Sequence, residues 1–209
     1  MPCNVSRFVR AASASALLAC AGPALAAACS GSNVGGASTD DVTFAGAASD
    51  QCVISGVNPQ SGPHGDTSGF ASTFGGGAWS LLAKLTTTAG NASLGGVNFA
   101  WTFAQTTGTL GTWSLTADKA IDFDLVFAMH ASNNSGAFLF NDESLLANEV
   151  NGGTWKIEWL NNGGNVPNYS NVTLFARDIT AAVPEPETYA LFLAGLGMMG
   201  FMAKRRRAA

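Results

Sequence analysis

Large apolar residues recur at every second position along the middle of this chain. In the run 99–103 the aromatic residues alternate with alanine and threonine, and the runs 121–127 and 155–159 show the same period. A period of two places alternate side chains on opposite faces of a β-strand, whereas one face of a helix repeats every 3.6 residues. The middle of the chain is therefore predicted to form strands, with three tryptophans in the core: Trp101, Trp155 and Trp159.

Shorter apolar runs extend this pattern. Further strands are predicted at Val42–Ala45, Cys52–Ser55, Ser80–Thr86, Gly111–Thr116, Ala137–Asn141 and Asn171–Asp178. Runs of Gly, Asn and Ser at 133–136, 151–153 and 161–164 are typical of tight turns, because these residues tolerate positive φ. We expect an all-β domain over residues 27–182, an antiparallel β-sandwich of jelly-roll-like form. Asn58–Gly77 is predicted to be a long loop that carries function or moves.

Charge is distributed unevenly along the chain. Residues 27–182 hold four basic and twelve acidic side chains, a net charge of −8, and most of the remaining basic residues lie near the two ends. A nucleic-acid-binding surface needs a basic patch that neutralises phosphates. We therefore expect no nucleic-acid partner.

The N-terminus has the features of a signal peptide. Arg7 and Arg10 precede an apolar stretch at 11–21, and Ala24-Leu25-Ala26 is a small-x-small cleavage pattern. Residues 1–26 are therefore predicted to direct export through the Sec translocon and to be removed by signal peptidase. An alternative remains, since residues 17–20 resemble a lipobox that would leave Cys20 as a lipidated first residue.

Two cysteines, Cys29 and Cys52, follow the predicted cleavage site. In an oxidising compartment an even count favours a disulfide, with two free thiols as the alternative. The sequence has neither a Cys-x-x-Cys pair nor a Cys/His cluster, so redox chemistry and a zinc site are not predicted.

Residues suited to catalysis or metal binding are few. His64 and His130 are the only histidines, and no Gly-x-Ser-x-Gly motif accompanies them, so we expect surface or turn histidines and no catalytic residue. Calcium is a candidate cofactor, because three nearby carboxylates could supply its oxygen ligands: Asp118, Asp122 and Asp124. A solvated acidic face is the alternative explanation of these residues. Trp79 follows a glycine run and is the best candidate for an exposed aromatic side chain.

The C-terminal segment, 183–209, ends in an apolar run and a basic cluster. Residues 189–203 carry no charge, and as a helix they would extend for about 22 Å, against roughly 30 Å for the hydrocarbon core of a bilayer. The basic cluster would stop transfer and stay cytoplasmic: Lys204, Arg205, Arg206 and Arg207. A short transmembrane helix is therefore predicted, a marginal anchor in the inner membrane.

This segment resembles a known sorting signal in three parts. A Pro-Glu-Pro triplet, a short apolar helix and a terminal basic cluster together resemble the PEP-CTERM signal of Gram-negative bacteria; the triplet is Pro184, Glu185 and Pro186. The resemblance implies cleavage by exosortase, transient membrane anchoring and delivery to the cell surface or extracellular matrix of a species that makes exopolysaccharide or biofilm. Residues 121–178 also resemble the β-rich ectodomains of such proteins, without active residues to carry over.

We therefore expect an exported, non-enzymatic surface or matrix protein associated with exopolysaccharide. One alternative is a lectin-like carbohydrate-binding module, and another is a secreted hydrolase.

Overall fold

The computed structural model describes residues 26–182, 193–196 and 198–199. Its strands are β1 (Ser30–Gly31), β2 (Thr43–Phe44), β3 (Ala47–Ala48), β4 (Gln51–Ser55), β5 (Ser80–Leu85), β6 (Ala89–Leu94), β7 (Val97–Thr107), β8 (Leu110–Ala117), β9 (Ile121–Ala131), β10 (Asn134–Leu145), β11 (Asn151–Lys156) and β12 (Asn171–Ala181). A short 3-10 helix, Thr39–Asp41, lies between β1 and β2. The prediction of an all-β domain is confirmed.

The strands form two main sheets and a small hairpin. The larger sheet has the order β1-β4-β10-β9-β12-β5, the smaller has β11-β8-β7-β6, and β2 pairs with β3. Neighbours are antiparallel except β1 and β4, which pair in parallel. Trp113 of the smaller sheet lies 4.8 Å from Phe127 of the larger, between ring centroids, so the sheets pack face to face. The sheets have six and four strands and contain the consecutive hairpins β6–β7–β8 and β9–β10, so the strand order differs from the jelly-roll-like form that we expected.

The main core lies between the two sheets, where the alternating side chains meet. Trp101, Trp155 and Trp159 are all buried, as their spacing predicts. Every buried residue of this core, and every partly buried residue packed on it, lies between positions 29 and 179. The part 27–182 therefore holds the apolar surface that drives its own folding.

A second, smaller core covers the outer face of the larger sheet. Phe70 and Phe74, from the segment 58–77, are buried against this face, and the ring centroid of Phe70 lies 5.2 Å from that of Phe175. The expected loop is indeed free of strands, and it packs against the sheet through two buried side chains. Its two phenylalanines bury apolar side chains that β9 and β12 present on their second face.

Three local predictions also need correction. The run 151–153, expected to be a turn, forms the start of β11, and Gly153 allows the backbone of β2 to approach it closely. Strand β11 ends at Lys156, so Trp159 is buried outside a strand. Strand β6 has no large apolar alternation, and its pairing with β7 defines it.

Cys29 and Cys52 form a disulfide in the structure, with their Cα atoms 4.7 Å apart. The bridge fastens the start of the domain to β4 beside the parallel β1 pairing. The predicted signal peptide, including Cys20, lies outside the described residues apart from Ala26.

Candidate functional site

The three predicted calcium ligands serve separate partners. Asp124 is buried and accepts hydrogen bonds from Arg177 Nε at 2.7 Å and from the backbone N–H of Asp142 at 2.9 Å. Asp122 accepts from the Ser144 hydroxyl at 2.6 Å. No group of three or more potential metal-binding side chains occurs in the described part of the chain.

Asp118 lies apart, at the end of β8. It accepts from the backbone N–H and the side-chain amide of Asn98, at 2.8 and 2.7 Å, and these hydrogen bonds lower the pKa of its carboxyl. The structure therefore does not assemble Asp118, Asp122 and Asp124 into a calcium site.

The histidines are also separated. His64 is exposed in the loop before β5, as expected for a surface histidine. His130 is half-buried, and its Nδ1 lies 2.7 Å from the hydroxyl oxygen of Ser135 on the neighbouring strand. Ser135 is 4% exposed, so this Ser–His pair is closed to a substrate. Burial also lowers the pKa of His130, as expected for a neutral side chain that completes the packing.

Trp79 is half-buried and does not provide the exposed ring expected from the sequence. Its ring packs edge-on against Phe70, with centroids 5.9 Å apart. The guanidinium of Arg177 lies over its face, 4.2 Å from the ring centroid. Trp79 is therefore one of the partly buried residues that pack on the second core.

A cleft of about 590 Å³ opens between the sheets at one end of the sandwich, and we call it the end cleft. It lies where β5 ends, where β6 begins and where the chain enters β12. Its lining includes Gln60, Thr86, Thr88, Gln105, Tyr169 and Asn171. Among the described residues that line it, none is charged.

Stacked aromatic rings form the floor of the end cleft. Phe103 is buried and lies 5.0 Å from half-buried Tyr169, between ring centroids. Phe103 also stacks almost parallel to the ring of Trp155, and the two ring centroids lie 5.2 Å apart. Tyr169 thus combines a packed ring with a part that faces the cleft, and burial raises the pKa of its hydroxyl, which stays protonated as a hydrogen-bond donor.

Amide side chains line the wall above this floor. The loop carrying Gln60 is held by Lys84, whose ammonium donates to the carbonyl oxygens of Gln60 and Gly62 at 2.8 and 2.5 Å. Within the described residues, Gln60 Nε2 and Asn171 Oδ1 have no hydrogen-bond partner. One unpaired donor and one unpaired acceptor therefore belong to the lining of the same cleft.

Sequence reasoning missed the end cleft. Thr86, Gln105 and Tyr169 are far apart along the chain, and only the sheet order joins them. The one available signal was the uncharged, hydroxyl-rich run 86–88, which periodicity alone does not associate with binding.

The outer face of the smaller sheet is a second polar surface, and Asp118 lines one of its openings. It presents small polar side chains, among them Asn91, Thr102, Ser114 and Thr116, along two shallow openings. The hydroxyl oxygens of Thr102 and Ser114 lie 2.7 Å apart and hydrogen-bond each other. This face therefore offers fewer free polar groups than its composition suggests.

The sorting segment is only partly covered by the structure. Pro184, Glu185, Pro186 and the basic cluster Lys204–Arg207 lie outside the described residues. Residues 193–196 and 198–199 are helical. Within the described ranges, no helix has the length and apolarity needed to cross a bilayer.

Comparison with known proteins gives one match, at the C-terminus. Residues 182–207 match the family model described as the PEP-CTERM protein-sorting motif. No curated protein and no solved structure matches the chain. The match spans the three parts predicted from the sequence, and it begins where the last strand ends, at Ala181. The chain therefore carries a PEP-CTERM sorting motif, the mark of an exported protein that exosortase sorts to the cell surface.

Proposed function

We propose that this chain is a non-enzymatic surface or matrix protein whose β-sandwich associates with exopolysaccharide or biofilm. The Sec translocon would export it, signal peptidase would remove residues 1–26, and the segment 189–203 would hold it briefly in the inner membrane. Exosortase would then cleave the tail near Pro184–Pro186. The observation that carries the proposal is the sorting motif at 182–207, joined directly to a disulfide-bonded β-domain.

The contacts of His130, Ser135 and Asp124 support a role without catalysis. Ser135 is closed to solvent beside His130, and Asp124 is ion-paired with Arg177. A general acid or base needs hydrogen-bond reach to a substrate proton. These side chains instead complete packing and hydrogen bonds inside the domain.

A carbohydrate-binding module is the second candidate. The end cleft favours it, because an aromatic floor beneath neutral amides and hydroxyls suits a polyhydroxylated ligand. The two candidates agree on destination and differ in whether one defined site binds the glycan.

Sorting and matrix association can be tested in an exosortase-bearing Gram-negative host that makes exopolysaccharide. The full chain is expressed beside a chain that stops after Ala182, and matrix, membrane and medium fractions are analysed by intact mass. We expect the matrix fraction to hold full-chain product that has lost its tail. Recovery of the chain with its C-terminus intact, or only in the medium, would contradict the proposal.

A further inference from the structure

We propose that the end cleft binds an uncharged saccharide chain, with Tyr169 beneath a sugar ring and the amides of Gln60, Gln105 and Asn171 around its hydroxyls. This inference rests on the proposed association with exopolysaccharide and gives it a site and a ligand class.

The size and polarity of the end cleft fit such a ligand. Its volume of about 590 Å³ lies within the range of small-molecule sites, roughly 300–1,000 Å³. A sugar ring presents apolar C–H faces and a rim of hydroxyl groups. Tyr169 and Phe103 offer an apolar surface for the C–H faces. The hydroxyl groups can hydrogen-bond the amides of Gln60, Gln105 and Asn171, which both donate and accept.

The unpaired polar atoms point to the same ligand class. Gln60 Nε2 can donate and Asn171 Oδ1 can accept, and both lack a partner within the described chain. Unpaired buried polar groups are unfavourable, and a functional role is one explanation for them. A hydroxyl group can satisfy either atom, since it is both donor and acceptor. Both atoms are shielded from solvent, so contact with a ligand requires each side chain to rotate.

Charge selects against an anionic glycan. The lining residues of the described cleft include neither lysine nor arginine, so a uronate or sulfate would meet no cation there. The nearby ammonium of Lys84 is occupied by two carbonyl oxygens of the Gln60 loop. The domain itself carries a net charge of −8 and would repel a polyanion. Lys84 is therefore a positioning residue for Gln60.

Binding can be tested on residues 27–182, which contain both apolar cores and the disulfide. The probes are neutral gluco-, manno- and galacto-oligosaccharides of about four to six units, against polyuronate oligomers of equal length. We compare wild type with Gln105→Ala, Gln60→Ala and Tyr169→Phe. Asn91→Ala is the control, an amide removed from the outer face of the smaller sheet. Thermal unfolding of each variant verifies its fold.

We expect a neutral oligosaccharide to bind. The amide variants should each weaken that binding about fivefold to tenfold, as loss of one hydrogen bond predicts, and Asn91→Ala should leave it unchanged. Preference for the polyuronate, or equal binding by wild type and the folded cleft variants, would overturn the inference.

Matrix retention of the same full-chain variants in the host separates the two proposals. Retention that falls in the cleft variants supports the end cleft as the site. Equal retention of wild type and cleft variants rejects the site while leaving the association with exopolysaccharide intact. Absence of wild-type retention rejects both.

Discussion

Arg177 Nε lies 2.7 Å from Asp124 Oδ2, and the two side chains are only 17% and 8% exposed. The same guanidinium donates through Nη1 to the carbonyl oxygens of Phe74 and Gly76, and it lies over the ring of Trp79. One arginine of β12 therefore fastens the segment 58–77 to the outer face of the larger sheet. Because Gly75–Gly77 have positive φ and little local preference for one conformation, this attachment orders the segment.

Replacing Arg177 with methionine should destabilise the domain by about 3 kcal/mol, because the substitution leaves the buried carboxylate of Asp124 without its cation. Urea unfolding measures the loss, and limited proteolysis should show new cleavage near Gly75–Gly77. Lys119→Met is the matched control, since it also removes one positive charge but from an exposed side chain whose ammonium bonds Gly96. Equal shifts in the two variants would contradict this account.

The buried carboxyl of Asp41 makes stability depend on pH. Its side chain is fully buried, Lys156 Nζ lies 3.4 Å from Oδ1, and Oδ2 has no partner in the described residues. Burial raises the pKa of Asp41 to about 7, although Lys156 lowers it in part and Glu158 raises it further. Between about pH 4 and pH 7 the unfolded chain therefore loses a proton that the folded domain keeps.

Wild-type stability should consequently fall across that pH window and level off above it. Asp41→Asn should remove this slope and be more stable than wild type at pH 8 by about 1–3 kcal/mol, because the neutral amide avoids the cost of a buried charge. Urea unfolding from pH 4 to 8 measures the difference. If the free energies of unfolding of wild type and Asp41→Asn change in parallel with pH, this role for Asp41 is ruled out.

The disulfide should contribute mainly through the unfolded state. It closes a loop of about 24 residues, for which chain entropy predicts roughly 3 kcal/mol. The double variant Cys29→Ser/Cys52→Ser should lower the unfolding temperature and raise hydrogen exchange at β1, which among the described strands pairs with β4 alone. Wild type in reductant should match the variant. Unchanged protection of β1 after reduction would show that its pairing does not depend on the bridge.

Strand prediction from the sequence succeeded where one face is core and the other is not. Strand β7 shows this: Phe99, Trp101 and Phe103 are buried while the residues between them are exposed. It failed for β6, whose small residues carry no periodic signal and whose pairing with β7 comes from tertiary structure. The second core was missed because β9 is buried on both faces, and periodicity along β9 cannot reveal what covers the second face.

The location of the end cleft could not be read from local sequence for a similar reason. Gln60, Gln105 and Tyr169 meet because β12 lies between β9 and β5 in the larger sheet while β7 lies in the smaller. Sheet order is a long-range property that a single sequence does not display. The sorting motif, by contrast, is local in sequence, and it was therefore predictable.

The position of β12 limits where the tail can be removed. Ala181 pairs with Ile121, and the backbone N–H of Ala182 donates to the carbonyl oxygen of Ala120 at 3.1 Å. A chain ending at Ala182 should therefore fold, whereas one ending at Ser170 loses a strand from inside the larger sheet and should not. Circular dichroism of the two chains tests this. Intact mass of processed protein should place its C-terminus at or after Ala182.

Two adjacent glycines of β11 offer the sharpest test of packing. A Cβ at Gly153 would lie 1.8 Å from the carbonyl oxygen of Thr43 and 2.9 Å from Trp113 Nε1, which donates to that same oxygen. Among the described residues outside its chain neighbours, the atom nearest to a Cβ at Gly152 would be the carbonyl oxygen of Trp113, at 3.6 Å. Gly153 thus allows β2 to pack on β11, while Gly152 has room for a Cβ at ordinary van der Waals distance.

Gly153→Ala should therefore cost about 2–3 kcal/mol, since the β2 backbone must move and the Trp113 hydrogen bond to Thr43 must lengthen. Gly152→Ala should change stability by about 0.5 kcal/mol or less. Urea unfolding of both variants gives the comparison, and the near-ultraviolet signal of Trp113 should change in Gly153→Ala. If the two alanines cost the same, the close approach of β2 to β11 is not what requires glycine at position 153.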